Sequence, residues 1–272
     1  GQAGRAIRVE SPNGTPLLTE ADEVVEIECD GDCVVHLPRH SQLEIEVRGD
    51  LLVDQVRGGV GIVYCAGNAS LAENGAVQIQ EVGGDLRVAQ CDSVKAEEVR
   101  GNAHLSGVRG PVSVNARGDA HVHEVAGSAS VNAKGNVHLR EVAGEMIRAN
   151  AKGDIHLGRG QGEIAANAAG NINLTDIVSQ RVRAVAKGDI RVHFRESAGG
   201  EAKVVNSGDL HVRRLEKLVR RGRGVYTFRF GQGEATLSLV AKGNVLVEGV
   251  VIDESSLRGV NEEMGAEMGA LG

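Results

Sequence analysis

The chain has 272 residues, with 38 Gly, 4 Pro, no Trp and only 2% aromatic residues. Hydrophobic residues at 41% support a sizeable core and exclude a disordered chain, and a net charge of −7 argues against general nucleic-acid binding. The glycines lack a Gly-X-Y period, which excludes collagen, and no apolar run approaches the roughly 18 residues of a spanning helix. Residues 1–30 alternate polar and apolar residues in "AIRVE" and "EVVEIEC", the period of a strand. They read as an N-terminal β cap.

From residue 31 a repeat organises the chain. Gly-Asp or Gly-Asn recurs at Gly31, Gly49, Gly67, Gly84, Gly101, Gly118, Gly135, Gly153, Gly170, Gly188, Gly208 and Gly243, with Gly14 and Gly224 filling two further slots. Two and four places after the glycine lie apolar columns, among them Val122, Leu139, Ile155 and Leu174. The place between them holds His104, His121, His138 and His156. Each repeat therefore reads as two short strands with one face inward. So short a strand cannot bury its apolar face alone, and stacking equivalent strands builds a continuous core. The expected fold is all-β: a single-domain β-solenoid (β-helix) of about 13–14 coils with 17–18 residues per coil, over residues 31–252. Gly101, Gly118, Gly135, Gly153, Gly170 and Gly188 are its structural corners, where Gly is expected to supply positive φ. Coils are expected to stack in sequence order.

The stretch "ARGDAHVHEVAGSASVNAKGNVHLREVAGE" and the lead-in "CVVHLPRHSQLEIEVRGDLLV" resemble a bacterial family of β-solenoid domains labelled as adhesins, whose function is unknown. The resemblance covers roughly residues 20–250. It implies a repeat protein at the cell surface or outside the cell, with a cell-surface macromolecule as a possible partner. A cytoplasmic location stays open, and no catalytic residue comes with the resemblance.

The outward columns carry little chemistry. Stacked imidazoles at strand spacing could share zinc, but no regular column beside them offers further ligands. The plainer reading is a tolerated surface residue copied with the coil. Asn115, Asn132, Asn150 and Asn167 form an amide column suited to hydrogen bonding along the stack. Cys29, Cys33, Cys65 and Cys91 all fall in inward register, where Cys acts as a small hydrophobe; pairing of Cys29 with Cys33 across one corner stays open. Arg48-Gly-Asp50 and Arg117-Gly-Asp119 follow from the repeat itself. No carboxylate pair recurs outward and no phosphate loop or nucleophile elbow occurs. The expectation is no catalytic residue, no metal and no cofactor, and a carbohydrate-active β-helix enzyme ranks last among the readings.

Between Gly188 and Gly243 the spacing loosens around "VRRLEKLVRRGRGVYTFRF". Residues 191–230 hold ten bases and four acids, whereas residues 1–50 hold eleven acids and four bases. Arg213, Arg214, Lys217, Arg220, Arg221, Arg223, Tyr226 and Phe228 are the candidate interaction residues. Residues 253–272 place Leu257, Val260, Met264, Met268 and Leu271 at helical steps, a short C-terminal helical or irregular cap or an assembly tail. The leading functional expectation is a non-enzymatic, adhesin-like structural protein that self-assembles head to tail into a filament, as a homo-oligomer or homopolymer, with no nucleic acid and no membrane span. The alternative is a cytoskeletal scaffold similar in principle to the bactofilins.

Overall fold

The computed structural model describes residues 8–12, 16–21, 24–36, 42–195, 199–214, 217–231 and 233–260. The chain is a β-solenoid and divides into two compact units, Gly1–Lys134 and Gly135–Gly272.

The first unit begins with two strands, β1 (Arg8–Glu10) and β2 (Leu17–Ala21). Six two-stranded coils follow: β3 (Val24–Cys29) with β4 (Cys33–His36), β5 (Gln42–Val47) with β6 (Leu51–Asp54), and β7 (Gly59–Cys65) with β8 (Ala69–Ala72). Then come β9 (Ala76–Val82) with β10 (Leu86–Cys91), β11 (Ser93–Val99) with β12 (Ala103–Val108), and β13 (Val112–Ala116) with β14 (Ala120–Val125). Strand β15 (Ala129–Ala133) ends the unit. Odd strands from β3 to β15 stack in parallel as one wall, and even strands from β4 to β14 as the other. Antiparallel β2 covers β3 and antiparallel β1 covers β4, closing the first coil. The first coil thus starts at Val24, inside the expected 1–30 cap.

The period-two pattern has the expected physical outcome. Val35, Val53, Leu71, Val88, Leu105 and Val122 occupy one inward column and are almost fully buried. Each contributes about 1.5–3 kcal/mol by leaving water. The wall spacing suits Val, Ala and Leu, so aromatic rings are absent from the first unit's core.

The Gly-Asp corners differ from expectation. Their glycines do not adopt positive φ. Their role is close approach: a Cβ on Gly84 would lie 2.6 Å from Asn68 Oδ1 and 2.8 Å from Gly67 O, and comparable overlaps occur at Gly101, Gly118, Gly153, Gly170 and Gly188. The space is needed by a ladder. Asp32 Oδ1 accepts the Asp50 N–H at 2.9 Å, Asp50 Oδ1 the Asn68 N–H at 2.7 Å, and Asn68 Oδ1 the Asp85 N–H at 2.9 Å. Asp85 and Asn102 continue it to Asp119. Positive φ belongs instead to the opposite corner, at Gln55, Glu73, Gln90, Gly107 and Glu124.

The second unit holds β16 (Val137–Ala151), β17 (Ile155–Ala168), β18 (Ile172–Ile177), β19 (Arg181–Ala186) and β20 (Ile190–Phe194). After these come β21 (Gly200–Asn206), β22 (Leu210–Arg214), β23 (Lys217–Arg221), β24 (Gly224–Phe230), β25 (Ala235–Ala241), β26 (Val245–Glu248) and β27 (Arg258–Val260). Strands β16 and β17 run unbroken through a corner and lend a limb to each wall. Beyond them the expected sequence order fails. One wall runs β17, β19, β25, β21, β24, β27, and the other β17, β18, β20, β26, β22, β23. The coil β25–β26 lies between β19–β20 and β21–β22, so Gly243 sits on Gly188, and Gly208 on Gly243. Gly224, read as a corner, opens β24, which pairs antiparallel with β21. The regular coils are correspondingly fewer than the corner glycines counted in the sequence.

Corner chemistry matches this spatial order. Up the ladder stand Asn136, Asp154, Asn171, Asp189, Asn244 and Asp209, linked by N–H···Oδ1 bonds of 2.6–2.8 Å. Asn and Asp alternate at every step, keeping carboxylates two rungs apart. In sequence order Asp189 would meet Asp209 directly. The end of this unit is an antiparallel cap of β23, β24 and β27, with a 3₁₀ turn at Glu254–Ser256. Leu257 and Val260, the first two positions of the expected C-terminal helix, do not form one, since Arg258–Val260 is strand β27; Met264, Met268 and Leu271 lie outside the described residues.

Candidate functional site

The basic segment "VRRLEKLVRRGRGVYTFRF" is not an irregular intrusion. It folds back as β23 and β24 over β22 and β21. Pairing places Arg220 opposite His211 and Arg221 opposite Leu210. Arg220, Arg221 and Arg223 are exposed, and among the described residues no acid pairs with them; Arg221 donates to the Arg220 carbonyl at 2.9 Å. Arg213 lies 3.8 Å from Glu248 and is partly neutralised. Arg214 and Lys217 oppose each other where β22 turns into β23. Tyr226 is half-buried, its hydroxyl donating to Gly222 O at 2.9 Å. Phe228 departs from its expected role: it is 2% exposed and packs edge-on against Phe230, ring centroids 6.4 Å apart. It belongs to the cap's core. The cap also exposes Arg258 on the outer strand β27, opposite Thr227. Arg258 escaped the sequence reading because the tail around it is acidic.

An opposite surface occurs in the first unit. Parallel pairing of β3 with β5 sets Glu26 beside Glu44 and Glu28 beside Glu46. Strand β2 lies alongside, with Leu17 opposite Glu28 and Thr19 opposite Glu26. Leu17 is 65% exposed and Leu18 41%. Leu17, Thr19 and the four glutamates border a shallow hollow of about 340 Å³ that Ile27 and Ile45 also line. Among the described residues no basic one lines it.

The histidine column forms as expected in each unit. His104 and His121 stack at 4.8 Å with ring planes 5° apart, and His138 and His156 at 5.0 Å and 6°. Lone pairs lie in the ring plane, so parallel stacked rings do not converge on one ion about 2.0 Å from each nitrogen. His104 has its pKa pushed below the ordinary imidazole value, first by desolvation and then by His121 and Arg87.

Asn132 Nδ2 donates to Asn115 Oδ1 at 2.6 Å, and Asn150 and Asn167 are register neighbours. The four cysteines are buried and free. Burial pushes the Cys33 thiol up to about 12 and those of Cys65 and Cys91 to about 11. Among the described residues no helix is long and apolar enough to cross a membrane. No protein-family model matches the chain, and no curated protein or solved structure matches it.

Proposed function

We propose that the protein is a non-enzymatic structural solenoid whose copies associate head to tail, the acidic first coils of one copy meeting the arginine-bearing cap of the next. The observation that carries this reading is the presence of two exposed surfaces of opposite charge. Four neighbouring glutamates flank the edge strand β2, and Arg220, Arg221, Arg223 and Arg258 stand on the edge strands β23 and β27 or the turn after β23. Strand edges offer backbone pairing, and opposite charge sets which edge meets which. Such a contact joins unlike surfaces, so it propagates into a chain of copies unless it closes into a ring. The resemblance to adhesin-labelled domains supports a place at a bacterial cell surface. Support for a structural role comes from outward columns of His, Asn, Ser and Arg and from hollows that are shallow.

Sedimentation velocity and electron microscopy at rising protein concentration test the reading. Larger species growing into fibres or rings are expected. A monomer at every concentration overturns it.

A further inference from the structure

Residues 200–260 close on themselves. Strand β21 pairs with β24 and β25, β22 with β23 and β26, and β24 with β27. This block meets the coil before it at one level only. There β25 lies on β19 from Arg181↔Thr236 to Ala186↔Ala241, and β26 on β20 from Ile190↔Val245 to His193↔Glu248. Strands β21 and β22, which follow β20 in the chain, pair with β24 and β25 and with β23 and β26, whereas β19 and β20 pair with β25 and β26. The chain between Phe194 and Gly200 is the block's one covalent tie to the preceding coils. Strands β20 and β22 stand two rungs of roughly 4.8 Å apart, with β26 between them. The joint is made largely of backbone. Ile190 N–H donates to Asn244 O at 2.9 Å, Gly243 N–H to Gly188 O at 3.1 Å, and Asn244 N–H to Asp189 Oδ1 at 2.6 Å. The Phe194 and Phe230 rings lie 6.1 Å apart across it.

We infer that copies of this chain associate by exchanging this block: residues 200–260 of one copy dock through β25 and β26 onto β19 and β20 of another. The inference rests on the reading that copies associate, but not on the charged ends. Every pair broken in opening the joint is remade in the exchanged form, because the second copy presents the same edge in the same register. The cost is confined to the connector and to association itself. The order of the chain favours exchange. The edge of β19–β20 is complete once residue 194 is made, yet its partner coil begins at Ala235. The nearer coil, β21–β22, would set Asp209 on Asp189, a like-charged rung that the described ladder otherwise carries only at Asp32 and Asp50. The edge therefore stays open to the block of a neighbour. Reciprocal exchange closes a pair; serial exchange leaves one free edge and one free block and extends a chain.

Arg183 and Ser238 oppose each other in the joint, with outward side chains. Parallel strands about 4.8 Å apart suit a disulfide. The experiment mixes separately purified R183C and S238C, refolds them together at high concentration, oxidises them and resolves the products on a non-reducing gel. A covalent R183C–S238C heterodimer in the oligomer fraction is expected, absent after refolding at high dilution. The double variant R183C/S238C should close within one chain on dilution, which verifies the geometry. The pair R181C and T236C repeats the readout at a second opposed position. Oligomers without a heterodimer crosslink overturn the exchange and leave end-to-end association standing. A mixture that stays monomeric and uncrosslinked overturns both.

Discussion

At the scale of single residues, glycine does two different jobs here. At Gly170 a Cβ would run into Asp154 Oδ1 and lie 2.9 Å from Gly153 O, whereas at Gly158 nothing lies within 4 Å. Gly170→Ala should therefore cost about 2–3 kcal/mol, while Gly158→Ala stays within about 0.5 kcal/mol of the parent. Thermal melts of the two variants check this, and equal effects would refute the close-approach role. His104 makes a prediction about acid. Its pKa is depressed in the fold by desolvation, His121 and Arg87, so the unfolded chain takes up the proton first. Stability is then retained above the unfolded imidazole value of about 6.5 and declines as pH falls below it. Asp85 and Asp119 pull the other way but are the smaller causes. His104→Asn should flatten the fall in melting temperature between pH 7 and pH 5. The raised thiols give a third test. Cys33, Cys65 and Cys91, held near 11–12, expose little thiolate at pH 8. A thiol reagent should leave them unlabelled in the native protein and label them after denaturation.

At the scale of elements, the corner ladder couples one coil to the next. Asn244 separates Asp189 from Asp209, and Asn244→Asp would place three carboxylates on successive rungs. Like charges set directly opposite on strands destabilise, and here by about 1 kcal/mol. Asp209→Asn in the same chain should recover most of the loss, and so should added salt. Rescue by neither would count against the coil order. This part of the fold shows what a sequence reader could reach. The 17–18-residue period, the two walls and the inward columns were legible because Val122, Leu139 and their equivalents repeat at fixed offsets from the glycine. Coil order was not legible from spacing, because a corner glycine carries no mark of which neighbour it stacks on. From Asn68 onward the Asn/Asp alternation did carry that mark: Asp189 and Asp209 break it in sequence and Asn244 repairs it in space, whereas Asp32 and Asp50 stand on successive rungs at the start of the ladder. The left-handed corner escaped because Gln55, Glu73, Gln90, Glu124, Glu141 and Arg159 are not residue types that favour positive φ, their φ of 54–62° being imposed by the coil. Phe228 looked like a surface aromatic because its segment is so basic; alternation along β24 turns it inward beside Phe230.

At the scale of the whole molecule, the two charged surfaces and the exchangeable block respond to different variables. Arg220, Arg221 and Arg223 lie on the outer side of the cap and take no part in the joint between β25–β26 and β19–β20. Reversing them together, as R220E/R221E/R223E, should weaken association driven by the charged ends and leave the heterodimer crosslink of the exchanged joint unchanged. Screening separates the same two contacts. The Debye length shrinks from about 30 Å at 0.01 M salt to about 3 Å at 1 M, so contact between glutamates and arginines fades across that range. A joint built from backbone hydrogen bonds and buried Val, Leu and Ala persists. The acidic tail adds a further lever. Residues 261–272 contain Glu262, Glu263 and Glu267 and no Lys or Arg, and they follow β27, which carries Arg258. If these acids compete with a neighbour's glutamates for the cap's arginines, a chain ending at residue 260 should associate at lower concentration than the parent, with the difference vanishing above about 0.5 M salt. Sedimentation of the truncated and parent chains side by side measures it. Loss of association on truncation would instead make the tail a bridge between copies, and the charge-competition account would fall.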